Sequence, residues 1–180
     1  ARPSMGKTSF LLNIAENMGV IDGRAIAVFS LEMGREQLTQ RLLASHARYN
    51  LRQMRRGMIP AEDWTNLQTA AGNLETSPIY IDDSPVLTPV QLRAKARRLQ
   101  AAHDIKAVLI DYLQLMSFGG PSSVARHEQI TEISRSIKAL ARELHVPVTC
   151  AAPLNPGPAD RPSHRPRMSA LRESGSIEHD

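Results

Sequence analysis

The first eight residues, Ala1-Arg2-Pro3-Ser4-Met5-Gly6-Lys7-Thr8, constrain the chain more than any other stretch. Gly-Lys-Thr closing such a run, directly ahead of an amphipathic segment, is the spacing of a phosphate-binding loop. A loop of this kind points successive backbone N–H groups into one concavity, and the helix behind it adds the positive end of its dipole. Lys7 then reaches the β- and γ-phosphates as a point charge, Thr8 offers its hydroxyl to Mg²⁺, and Gly6 lets the backbone approach without a Cβ. Ser4, Met5, Gly6, Lys7, Thr8 and Ser9 are therefore the candidate nucleotide contacts, with ATP and Mg²⁺ the implied ligands. The bland alternative is a chance Gly-Lys-Thr on a surface turn, and the helical pattern that follows it argues against that.

A phosphate loop needs a carboxylate near the metal, and two later runs offer one. Ala107-Val108-Leu109-Ile110-Asp111 is an apolar strand ending in Asp, the form of a Walker B element, so Thr8 and Asp111 are the candidate metal ligands. The run Ala25-Ile26-Ala27-Val28-Phe29 has the continuous apolar character of a parallel strand covered on both faces, and Glu32 follows it. At the carboxyl end of a parallel sheet Glu32 faces the same crevice as the loop. There it can orient an attacking water, or it can serve the next helix as an N-terminal carboxylate, and position alone leaves both roles open.

The remaining pattern is α/β. Helices are expected over Ser9 to Met18, with Phe10, Ile14 and Met18, and Leu11 beside them, forming one stripe; over Arg35 to Tyr49; over Ala61 to Glu75, with Trp64, Leu67 and Ala71 on one side; and over Glu128 to Leu144. Thr88, Pro89 and Gln91 predict a capped helix start, running to about His103 with its arginines in solvent. Ile79 to Ile81 and Val146 to Ala152 complete the strands. Asp82-Asp83 at a strand-to-turn junction satisfies backbone groups more readily than it binds a metal. The arginines between Arg48 and Arg56 read as a solvated face.

Composition excludes several classes. The net charge of +4 with a pI near 9.6 permits a polyanionic partner, but 4% aromatic residues leave little for base-stacking platforms, so nucleic acid contact should go through phosphates. One cysteine, Cys150, excludes a disulfide framework, and no apolar run has membrane-spanning length, which fits a reducing cytoplasm and no membrane partner. Length and pattern suit a single domain over residues 1–180.

The strings Ala1 to Thr8, Phe29-Ser-Leu-Glu-Met33, Leu109-Ile-Asp-Tyr-Leu-Gln-Leu115, Ile133 to Leu144 and Leu171-Arg-Glu-Ser-Gly-Ser-Ile-Glu178 occur in one colinear order. In this the chain resembles the C-terminal motor domain of the DnaB-type hexameric replicative DNA helicases, a RecA-like P-loop ATPase core with a mostly parallel sheet flanked by helices. The resemblance implies ATP-driven translocation on single-stranded DNA by a homo-hexamer, with primase and a helicase loader as partners. It assigns catalysis to Glu32 and Lys7, metal binding to Thr8 and Asp111, and DNA contact to the loop holding Arg172, Glu173 and Gly175. It also implies a collar domain, a linker helix and a strand ahead of the loop, and strands with a basic finger beyond Asp180, so the sequence reads as a piece of a longer protein, truncated at both ends.

One departure bears on activity. Where the family carries a γ-phosphate-sensing Gln, this chain has Pro153, within Ala152-Pro153-Leu154-Asn155-Pro156. Proline has no N–H and no side-chain amide, so the expectation is slow hydrolysis poorly stimulated by DNA. A degenerate paralogue that binds nucleotide or a partner ring without productive hydrolysis is the alternative reading.

Overall fold

The four apolar runs become four parallel strands in the computed structural model, which describes residues 6–120 and 123–153. These strands are β1 (Ile26–Ser30), β2 (Ile79–Asp82), β3 (Ala107–Asp111) and β4 (Val148–Cys150), in the order β2-β1-β3-β4. Parallel neighbours need long crossovers. Here they are supplied by α2 (Arg35–His46), α3 (Leu51–Arg55), α4 (Trp64–Thr76), α5 (Pro89–His103) and α6 (Arg126–Leu144), while α1 (Lys7–Glu16) precedes the first strand.

β1 and β3 are buried at every residue. Side-chain alternation divides them between two faces. Ala27, Phe29, Val108 and Ile110 pack toward α5 and α6, meeting Leu92, Ala96, Ile130, Ile133 and Ile137. Ile26, Val28, Ala107 and Leu109 pack toward α1, meeting Leu11 and Ala15. Leu12, Leu38 and Leu42 join α1 to α2. Each buried Leu, Ile or Phe contributes roughly 1.5–3 kcal/mol, so these central strands are the rigid base on which the loops at their ends rest.

Helix existence follows the sequence closely and helix facing less so. The capped start is observed as expected: Gln91 N–H donates to Thr88 Oγ1 at 3.3 Å and Thr88 N–H to Gln91 Oε1 at 2.9 Å, with Pro89 at the first helical position. In α1, Leu11 is buried as expected, but Leu12 and Ala15 are buried with it, Ile14 and Met18 are only partly covered, and Phe10 is 65% exposed. The helix lies in the angle between sheet and α2, so two adjacent faces are buried where the stripe predicts one. In α4, Leu67 and Ala70 are buried while Trp64 and Ala71 are exposed. The last strand is shorter than the apolar run that predicts it.

The aspartate pair has structural partners. Asp82 meets Lys95 Nζ at 2.5 Å and accepts the Ser84 N–H at 3.1 Å. Asp83 accepts the Arg35 N–H at 2.8 Å, at the first residue of α2. Burial works to raise the Asp82 pKa, but the bonds from Lys95 and Ser84 outweigh it and leave the carboxyl below its ordinary value. Arg93 and Arg97, expected in solvent, both reach Glu143 of α6. Cys150 is partly covered at the end of β4, and desolvation pushes its thiol up to about 12.

Candidate nucleotide site

The site begins where α1 begins. Gly6 occupies the N-cap with φ 84 and ψ 23, a left-handed conformation that strains a residue bearing a Cβ, and no side chain caps the helix. The first helical bond runs from Phe10 N–H to Gly6 O at 2.9 Å. The N–H groups of Gly6, Lys7, Thr8 and Ser9 lie ahead of it, at the positive end of the dipole, where an anion is stabilised. Ser4 and Met5 lie outside the described residues.

The next part comes from the sheet. Parallel register sets Ser30 opposite Asp111, so β1 and β3 end side by side. Thr8 Oγ1 donates to Asp111 Oδ2 at 2.5 Å across 103 residues of sequence. Asp111 is only 2% exposed, and its other oxygen, Oδ1, is buried without a partner among the described residues. A buried carboxylate oxygen left unpaired is costly unless something else satisfies it. The hydroxyl and carboxylate are hard oxygen donors, and a magnesium ion taking its remaining coordination from phosphates and water needs no more than these from the protein. The residues present therefore fit Mg²⁺.

Glu32 sits on the turn after β1. Leu31 N–H donates to Asp111 O at 2.8 Å, which fixes the start of that turn to the end of β3. Ser30 Oγ, 2% exposed, donates to Met33 O at 2.7 Å and accepts Met33 N–H at 3.2 Å. The two contacts bracket Glu32 and leave its side chain exposed. Arg35 N–H is taken by Asp83, so Glu32 is not used as the cap of α2.

Two participants were not evident from sequence reasoning. Ser30 lies just past the expected strand run and is given no role there, although a hydroxyl two residues before a carboxylate could have signalled a closed turn. Tyr112 follows the candidate metal ligand directly, and its ring lies 4.1 Å from the Lys7 ammonium. The Ser9 side chain is exposed and lines a shallow cleft with Arg41 and Tyr49, so its backbone N–H is what lies at the loop. Beyond β4, Ala151 N–H donates to Ile110 O and Leu113 N–H to Ala151 O, which puts Pro153 just past the same end of the sheet. Arg172, Glu173 and Gly175 lie outside the described residues.

The family described as DnaB-like helicase C terminal domain matches residues 1–180. The chain belongs to this family. It is 47% identical over 180 residues to the replicative DNA helicase DnaC of Bacillus subtilis (strain 168) and 46% identical to the replicative DNA helicase DnaB of Geobacillus stearothermophilus, covering 100% of this chain and 40% of each relative. Among solved structures, a DnaB-like replicative helicase described with its interactions with primase superposes with a TM-score of 0.91 at 36% identity, over 99% of this chain and 43% of that one. A second solved chain, described as an ATPase domain, gives the same TM-score and identity and is covered over 63% of its length. The parallel sheet flanked by helices is thus the RecA-like core of a DnaB-like ATPase domain, and the expected resemblance holds over the whole chain.

Proposed function

We propose that this chain is the ATP-hydrolysing motor of a replicative DNA helicase, a single domain over residues 1–180 that works in a ring of six around single-stranded DNA. The observation that carries this reading is the 2.5 Å contact between Thr8 and Asp111, with Asp111 Oδ1 buried and unpaired beside it. Loop and strand-end carboxylate converge on one point, as a nucleoside triphosphate site requires.

In this reading the N–H groups of Gly6 to Ser9 hold the polyphosphate and Lys7 places its charge on the transferring phosphoryl group. Thr8 and Asp111 would hold Mg²⁺, which when bound would neutralise charge on the phosphates. Glu32, braced by Ser30 on a turn pinned to Asp111, accepts a hydrogen bond from the attacking water and takes its proton. Arg172, Glu173 and Gly175 hold the DNA backbone, which gives binding with little sequence preference. Primase and a loader engage the assembled ring, and the cell compartment is the cytoplasm.

The second reading, a nucleotide-binding remnant without productive hydrolysis, draws on Pro153, which follows the strand end where the family places its sensing amide. Steady-state ATP hydrolysis with and without single-stranded DNA separates the two. The expected result is a basal rate that falls by about 10² or more in Glu32→Ala with nucleotide binding retained. DNA stimulation should be weak in the parent and restored in Pro153→Gln. A rate indifferent to Glu32→Ala would refute the catalytic assignment, and strong stimulation of the parent would refute the role given to Pro153.

A further inference from the structure

We propose that Tyr112 is a positioning residue for Lys7, holding the loop ammonium over its ring so that the charge faces the phosphates without being neutralised. The inference rests on the nucleotide-site reading above and deepens it. Lys7 is the first residue of α1, with a long stem whose many rotamers must be restrained before its charge has a fixed place. Something must restrain that stem if the charge is to meet a phosphate reliably. The carboxylate next to Tyr112 in the chain, Asp111, already accepts from Thr8 and keeps one oxygen beside it for a metal. An ion pair from Lys7 to Asp111 would consume both the carboxylate and the lysine charge.

The ring solves this differently. Lys7 Nζ lies 4.1 Å from the Tyr112 centroid, within the range of an attractive cation–π contact. A ring face attracts the ammonium without neutralising its charge, so the N–H donors turned away from the ring remain available for phosphate oxygens. Tyr112 is itself held. It is half-buried, between Asp111 and Leu113, which are 2% and 3% exposed, and Leu113 N–H is bonded to Ala151 O of the last strand's extension. The ring is thus mounted on the rigid end of β3, on the residue next to the one that Thr8 bonds. Lys7 and Thr8, adjacent on α1, are matched by Tyr112 and Asp111, adjacent on β3.

The test is a double-mutant cycle on the full-length protein, read by fluorescence titration with an N-methylanthraniloyl derivative of ADP, whose β-phosphate Lys7 would reach. Tyr112→Phe keeps the ring and should bind within about twofold of the parent. Tyr112→Leu should bind about three- to tenfold more weakly, as loss of one partly exposed cation–π contact implies. In a Lys7→Ala background, Tyr112→Leu should change affinity less than twofold, because the ring then has nothing to hold. If Tyr112→Leu loses the fold by thermal melting, Tyr112→Met takes its place in the cycle. Equal losses from Tyr112→Leu in both backgrounds, or none in either while Lys7→Ala still weakens binding, would overturn the tyrosine's role and leave the site intact. If Lys7→Ala itself binds as the parent does, the nucleotide-site reading fails, and the proposal with it.

Discussion

At the scale of single residues, the candidate site depends on one carboxylate serving two neighbours. Asp111 Oδ2 accepts from Thr8 and Oδ1 is buried without a partner among the described residues, so the two oxygens have different surroundings. Asp111→Asn separates them. The amide oxygen can still accept the Thr8 hydroxyl, but the substituted side chain offers an N–H₂ and no negative charge where Oδ1 had been. We expect nucleotide affinity in the variant to lose its dependence on Mg²⁺, while binding in EDTA stays within about threefold of the parent, since one retained hydrogen bond keeps the corner together. Isothermal titration with and without Mg²⁺ measures both, and an unchanged Mg²⁺ effect would remove Asp111 from the metal site. Sequence alone indicated Lys7, Thr8 and Asp111, because their residue types and order are set by phosphate and metal chemistry. It did not indicate Tyr112 or Ser30, because their roles arise from contacts that exist only when β1, β3 and α1 meet.

At the scale of elements, local signals were legible where the cause is local. Thr88, Pro89 and Gln91 form their cap within one turn, so the start of α5 could be read without knowing the fold. The facing of α1 could not. Of its expected stripe Leu11 alone is fully buried, and Leu12 and Ala15 join it because the helix packs against two partners, the sheet and α2. The end of α1 carries a similar long-range constraint. It passes into a π-helical turn, Asn17–Ile21, in which Gly19 is buried over the edge strand. A Cβ on Gly19 would lie 2.3 Å from Ile79 Cγ1, a stem atom that cannot swing aside as a chain terminus could. Gly19→Ala should therefore destabilise by about 1–3 kcal/mol through overpacking, despite alanine's better helix propensity. Urea denaturation should show a lower midpoint at an unchanged slope; a midpoint at or above the parent's would mean that β2 yields to the methyl group.

At the scale of the whole molecule, the sheet carries chemistry at its central strands and fastening at its edge. β1 and β3 are held on both faces by helices, whereas β2 is partly exposed along its length and bonds to one neighbour among the described residues. The aspartates that end it fasten it sideways, Asp83 to the start of α2 and Asp82 to Lys95 on α5. The turn bearing Glu32 runs directly into α2, so these fastenings also bear on the end of the sheet that carries the candidate site. Their strength should depend on pH in one direction. Because the bonds to Asp82 hold its folded pKa below the ordinary value, the ionised carboxylate stabilises the fold at neutral pH, and this contribution fades as pH falls below about 4 toward the lowered folded pKa. Lys95→Met removes the principal partner while keeping the stem. The variant should lose about 1 kcal/mol near neutral pH, modest because both groups retain some solvent, and the gap to the parent should shrink as Asp82 becomes protonated. Thermal unfolding of parent and variant across that acid range gives the gap directly. A gap that stays constant across that range would show that the ionised Asp82–Lys95 pair does not account for the variant's loss, and that the charge at the sheet's edge does not hold α5 in place.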